Sequence, residues 1–276
     1  MTVAFKISSF EYEYISSRKN RRVTDAASLS ERKYRERTGV FAAEGVKLLG
    51  ELISNGISPN EVFFTERAYE QNKALIEKAA SLGADMLLVT DEVAAKLSEE
   101  RAPQGVFSTA RLPKKEMFSE ELARSAENGF VVLDSVQDPG NVGTVIRTAV
   151  SLGISDIVLC GECADIWSRK TQRGAMGALL RANIYFCESV DDCVRMITEV
   201  GRKIYAAALH EGAKSASSFD FEKGDSVLIG NEGHGLSDKT VSLCTDAVII
   251  PMKNGMDSLN AGIAAAILIW KMSMAQ

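Results

Sequence analysis

Three stretches in the second half of the chain combine bare backbone with charged or amide side chains. The first, SVQDPGNVG at 135–143, runs into a helical pattern that carries Arg147. Val142, Val145, Ile146, Ala149 and Val150 fall on one apolar stripe, and Gly143 and Arg147 share the other flank at i, i+4 spacing. Helical side chains lean toward the N-terminus, so Arg147 is expected to reach back over the backbone at Gly143 and make an anion-facing pocket. Neither G-x-G-x-x-G nor G-x-x-x-x-G-K-[ST] stands there, which excludes both standard nucleotide cradles at this position. The second stretch, GNEGHGL at 230–236, sets three glycines beside Asn231 and Glu232, a loop that a ligand can approach at main-chain level. His234 has no recognisable acid–base partner and reads as a rim residue. The third, IPMKNGMDSLNAGIAAAILIW at 250–270, ends a strand at Pro251 and opens a helix for which Asp257 or Ser258 is the expected N-cap. Ser258 and Asn260 put polar groups at the ligand end of that helix.

Such loops need rigid elements behind them. From Phe130 onward the chain repeats short, almost wholly apolar runs: FVVLD, DIVLC, ANIYFC, KIYAAAL, SVLIG and AVIIP, most of them separated by helical lengths. Apolar runs without alternation predict strands covered on both faces, hence a mostly parallel sheet, and ligands of such sheets bind beyond the carboxyl ends of the strands. Upstream, from Gly39, GVFAAEG, VKLLGELISNG, EVFFTE, a helix near 68–82, DMLLVT, a helix at 91–99 and QGVFSTARLP predict a smaller α/β module. The expected organisation is an α/β chain with an N-terminal domain and basic arm at 1–113, a charged connector at 114–128 and a larger domain at 129–276. Hydrophobic and charged contents of 46% and 25% are ordinary globular values and exclude a fibrous or disordered chain. Five cysteines without zinc-type or C-x-x-C spacing predict buried thiols in a reducing compartment and no metal site. Without an apolar run of ~18 residues or a signal-peptide core, no membrane partner is expected and the cytoplasm is the expected location.

The net charge of −5 alone disfavours a polyanionic partner, but residues 1–37 carry nine basic and five acidic groups, so the positive charge is concentrated in one arm. Charge alone leaves a solvated helix and a polyanion-binding arm equally open.

In this order and spacing the three stretches resemble the SpoU (TrmH-like) family of RNA ribose 2′-O-methyltransferases. The resemblance covers residues 130–276 and rests on Asn141, Gly143 and Arg147; on Gly230, Asn231, Glu232, Gly233, Gly235 and Leu236; and on Ile250, Pro251, Met252, Ser258, Leu259 and Asn260. The N-terminal module is similar, more loosely, to the family's ribosomal-protein-like RNA-binding domain, with FAAEG at 41–45 in the matching place. The resemblance implies a deep trefoil knot, an exception to the rule against knots, and a homodimer formed through the knotted domain. It implies S-adenosylmethionine held by Leu209, Gly230, Asn231, Glu232, Gly233, Gly235, Ile250, Met252 and Leu259. It also implies a reacting group of Asn141, Arg147, Glu232, Ser258 and Asn260. Arg147 would face the target ribose and its phosphate; because a guanidinium stays protonated, it would stabilise the developing alkoxide, the proton passing to a phosphate oxygen, water or Glu232. Ribosomal RNA is the expected substrate, read by Arg18, Arg21, Arg22, Arg35 and Arg37. Methylation of transfer RNA, a catalytically inactive RNA-binding or ribosome-assembly protein, and a nucleotide-binding α/β protein remain alternatives. The segment RGAMGALLR departs from the family in having Ala175 where many relatives carry serine.

Overall fold

The structure, a computed structural model, describes residues 7–100, 102–253 and 259–275. The chain divides into two compact units: residues 1–113 with Trp167–Arg169, and residues 114–166 with 170–276. In the first unit β1 (Glu13–Ile15), β2 (Val40–Glu44), β3 (Glu61–Phe64), β4 (Asp85–Val89) and β5 (Val106–Arg111) form a sheet ordered β1-β4-β3-β5-β2. β1, β4 and β3 run parallel, whereas β5 pairs antiparallel with both β3 and β2. Around it lie α1 (Arg21–Ser28), α2 (Arg32–Thr38), α3 (Val46–Ser54), α4 (Glu66–Ser81) and α5 (Asp91–Leu97). Thr65 and Thr90 cap α4 and α5 through their side-chain oxygens, which is why each helix starts one residue after a strand. The unit also takes in Trp167, whose ring centroid lies 4.4 Å from that of Phe41, and Arg169, whose Nη1 donates to the Leu97 carbonyl at 2.6 Å. No local pattern signals that three residues from the second half of the chain complete this unit.

The second unit holds β6 (Glu116–Met117), α6 (Glu120–Ser125), β7 (Val131–Asp134), α7 (Pro139–Ser151), β8 (Asp156–Cys160), α8 (Arg169–Ala175) apart from its first residue, β9 (Asn183–Cys187) and α9 (Val190–Glu199). β10 (Ile204–Ala207), β11 (Lys214–Ser215), β12 (Ser226–Ile229), α10 (Asp238–Leu243), β13 (Asp246–Ile249) and α11 (Ala261–Ser273) follow. Its eight strands are ordered β11-β13-β10-β12-β7-β8-β9-β6, and every pairing is parallel. The continuous apolar runs have their expected cause: Val131, Val132, Ile157, Val158, Val227 and Leu228 are fully buried.

The stretch 114–128 is not a connector. β6 pairs with β9, α6 starts on a Ser119 cap, and Phe118 packs edge-on against Phe130 with centroids 5.1 Å apart, so the segment belongs to the second unit. Its charges face outward while Phe118 and Ala123 fill the core, a half-buried pattern that charge composition conceals.

Candidate active site

In an all-parallel sheet the strands share one carboxyl edge. The loops that follow β13, β10, β12 and β7, four consecutive neighbours, therefore leave from the same side, roughly 4.8 Å apart at their roots. These are the loops carrying Ile250 and Met252, Leu209, the 230–236 glycines, and Ser135–Asp138.

The β7 and β12 loops are joined through one carboxylate. Glu232 Oε2 accepts from Gln137 N at 3.0 Å, and Oε1 accepts from Asp138 N at 3.0 Å and from Asn141 Nδ2 at 2.8 Å. Partial burial works to raise this carboxyl's pKa, but the three N–H donors outweigh it and hold Glu232 below the usual carboxylate range. A carboxylate so occupied clamps the two loops and α7 together. Asn231 makes a second link: its Nδ2 donates to the Ser135 carbonyl at 2.7 Å, and its Oδ1 accepts from Gly233 N at 2.8 Å and His234 N at 3.3 Å. Ser135 takes a left-handed backbone, φ 52°, to present that carbonyl.

Asp138 opens α7, accepting from Asn141 N at 3.0 Å, with Pro139 at the first helical position. Its other oxygen meets Lys170 Nζ at 2.7 Å; the ammonium first, then the helix N–H, lowers the Asp138 pKa. Asp-Pro before a helical pattern is a helix-start signal legible in the sequence. Asn141 is buried and Arg147, six positions further along α7, is exposed. Arg147 makes no hydrogen bond or ion pair among the described residues. Gly143 does not offer open backbone to a ligand. A Cβ there would stand 2.6 Å from the Thr171 carbonyl oxygen and 2.9 Å from Ala175 N and Gly174 Cα, so the glycine lets α7 and α8 touch. Ala175 is fully buried at that contact, so a side chain in its place faces no ligand.

Asn260, not Asp257 or Ser258, caps the last helix: its Oδ1 accepts from Gly262 N at 2.9 Å and Ile263 N at 3.2 Å. A Cβ on Gly262 would lie 3.1 Å from Asn141 Oδ1, so the start of α11 abuts the start of α7 and brings the third stretch to the other two. Ser258 lies outside the described residues.

Gly230 is buried against Leu236, whereas Gly233 and Gly235 are exposed, and no described atom lies within 4 Å of where a Gly235 Cβ would stand. Leu209 is 65% exposed, and Ile250, Met252 and Leu259 are half-buried. Beside its charged groups this edge offers glycine backbone and the apolar side chains of Leu209, Ile250, Met252 and Leu259.

The arginines proposed for RNA contact divide. Arg18, Arg21 and Arg37 are exposed. Arg35 is 2% exposed, with Nη1 donating to the Leu29 and Ser30 carbonyls at 2.6 and 2.8 Å; it holds the α1–α2 turn and cannot meet a phosphate. Arg22 is engaged by Glu13, Glu61 and Asp85, which join β1, β3 and β4. Both are corrections: positive charge in a sequence does not tell which cations have internal partners.

A model described as the SpoU rRNA Methylase family matches residues 128–270, and one described as the MRM3-like substrate binding domain matches residues 20–108. An uncharacterized tRNA/rRNA methyltransferase of Synechocystis, slr1673, is 30% identical, covering 93% of this chain and 92% of its own. The 23S rRNA (guanosine(2553)-2′-O)-methyltransferase RlmP of Bacillus subtilis is 28% identical over 93% of this chain and 97% of its own. The AdoMet-bound rRNA methyltransferase of Sinorhizobium meliloti superposes with a TM-score of 0.82 at 29% identity, over 95% of this chain and 97% of that one.

Proposed function

The chain belongs to the SpoU rRNA methylase family, and on that premise we propose that it transfers a methyl group from S-adenosylmethionine to a ribose 2′-hydroxyl of ribosomal RNA. The observation that carries the reading is the clamp: Glu232 and Asn231 tie the β12 loop to the β7 loop and to α7, so the exposed glycines 233 and 235 and the exposed Arg147 belong to one assembly. The bound donor supplies an electrophilic methyl carbon on a positively charged sulfur. All else falls to the chain. Main chain at 230–235, with Leu209, Ile250, Met252 and Leu259, would hold the donor, and Ser258 and Asn260 would line the reacting end. Arg147 would orient the ribose and its phosphate and stabilise the oxygen as its proton leaves for a phosphate oxygen or water. Positioning supplies much of the rate in such a displacement.

The exposed Arg18, Arg21 and Arg37 would meet RNA phosphates in the N-terminal unit. We read the second unit as knotted and dimeric. Ile263, Ile267, Trp270 and Met274 stand at 54, 37, 56 and 68% exposure along α11, an apolar stripe that a second copy would cover. Among the described residues no helix is long and apolar enough to cross a membrane, and the five cysteines are free.

Calorimetry with S-adenosylmethionine and methylation of ribosomal RNA test the whole. Wild type should bind the donor, sediment as a dimer and turn over, and Arg147→Ala should keep donor affinity while turnover falls about 10²–10³-fold. Absence of binding heat removes the donor, a monomeric mass removes the dimer, and unchanged turnover in Arg147→Ala removes its role.

A further inference from the structure

Residues 169–181, RKTQRGAMGALLR, contain four cations and no acidic group. The end of α8 is pressed onto α7, where Gly174 and Gly143 allow backbone to meet backbone, and the 3-10 turn Ala178–Leu180 packs on α7 as well. Met176 stands between these two contacts, beside the helix that bears Arg147.

Its backbone is left-handed, φ 51°; among the described residues the only other non-glycine residue with positive φ is Ser135. Ser135 uses that conformation to hold Asn231, but Met176 N closes the end of α8 on Gln172 O and Arg173 O at 3.0 and 3.3 Å, which glycine would do without steric cost. Burial does not compensate, because Met176 is 41% exposed while Ala175, Gly177 and Leu179 around it are buried. A long thioether is thus held toward solvent, against backbone preference, on a segment packed against the helix that bears Arg147.

We propose that Met176 is a substrate-contact residue: its thioether packs on the face of the nucleobase whose ribose is methylated, holding the nucleotide while Arg147 meets the sugar. The inference rests on the methyltransferase reading above. Methionine suits this task, since a soft, unbranched side chain adapts to any ring and sulfur–aromatic contact needs no hydrogen bond. It grips the base by its face and leaves base identity to other contacts.

The test compares wild type, Met176→Gly and Met176→Leu on ribosomal RNA extracted from cells lacking the gene. Kinetics, filter binding of RNA, donor calorimetry and sedimentation are read together. In Met176→Gly the KM and Kd for RNA should rise about tenfold, near the upper end of what a sulfur–ring contact is worth. Donor affinity and mass should not change, and the melting temperature should hold or rise as strain is relieved. Met176→Leu should stay within about twofold of wild type, because it keeps an apolar body of similar size. Unchanged KM and Kd in Met176→Gly overturn the proposal, and so does a shift to monomer, which would assign the side chain to a subunit contact. Failure of wild type to methylate RNA overturns the function instead, and the Kd comparison still decides whether Met176 touches RNA.

Discussion

Glu232 shows how one residue type admits more than one role. A carboxylate in a polar glycine loop invites a general-base reading, yet its two oxygens receive three N–H groups and its pKa is held low. With a depressed folded pKa, its stabilisation is complete above the ordinary carboxylate value of about 4.3 and is lost as pH falls through the lowered one. Glu232→Gln replaces one acceptor oxygen by a donor and leaves at least one N–H facing an NH₂. Hydrogen bonds to a charged group are worth about 1.5–3 kcal/mol, so the variant should lose donor affinity and kcat/KM together, by about ten- to a hundredfold. Calorimetry beside steady-state kinetics reads both; turnover abolished with donor affinity intact would assign it the base role. Arg35 carries the same lesson. Its type and its place in a basic run suggest phosphate contact, but its neighbours in space are carbonyls. Asn260 was legible as a polar group at a helix start, though not as the cap, because Asp, Ser and Asn within four positions all satisfy the capping rule.

At the scale of elements, α7 is where site and scaffold meet. One end is capped by Asp138 and clamped by Glu232, its apolar stripe is buried, α11 lies against it, and Gly143 accepts the backbone of α8. The stripe was readable from 3.6-residue periodicity, but the use of Gly143 was not: a glycine that admits a ligand and one that admits another helix look alike in sequence. Gly143→Ala separates them. Its Cβ would meet only backbone atoms under 3 Å away, which cannot yield as a side-chain tip can. The expected cost is about 1–3 kcal/mol of overpacking, a fall in melting temperature of several degrees with reduced turnover. An unperturbed melting curve would return Gly143 to the ligand side.

For the whole molecule the net charge of −5 is compatible with an RNA substrate only if cations are distributed unevenly. With Arg22 and Arg35 committed internally, Arg18, Arg21 and Arg37 remain as the exposed members of the expected set. Replacing all three by alanine should leave the melting temperature within a degree or so, since exposed substitutions are nearly neutral. The slope of log affinity against log salt should flatten by about two to three, from roughly 0.7–0.9 for each of three lost phosphate contacts. An unchanged slope would place RNA recognition elsewhere. The sequence by itself determined the α/β class, six strands of the second unit, the α7 and α11 helices and the order of three motifs, because apolar periodicity and turn chemistry act over a few neighbouring residues. Tertiary structure alone decided which polar groups satisfy one another: the donors to Glu232 come from 91 to 95 residues away, and Trp167–Arg169 completes the unit built mainly from the first 113 residues. Strand order and sheet register set those meetings, and no local run of residues encodes them.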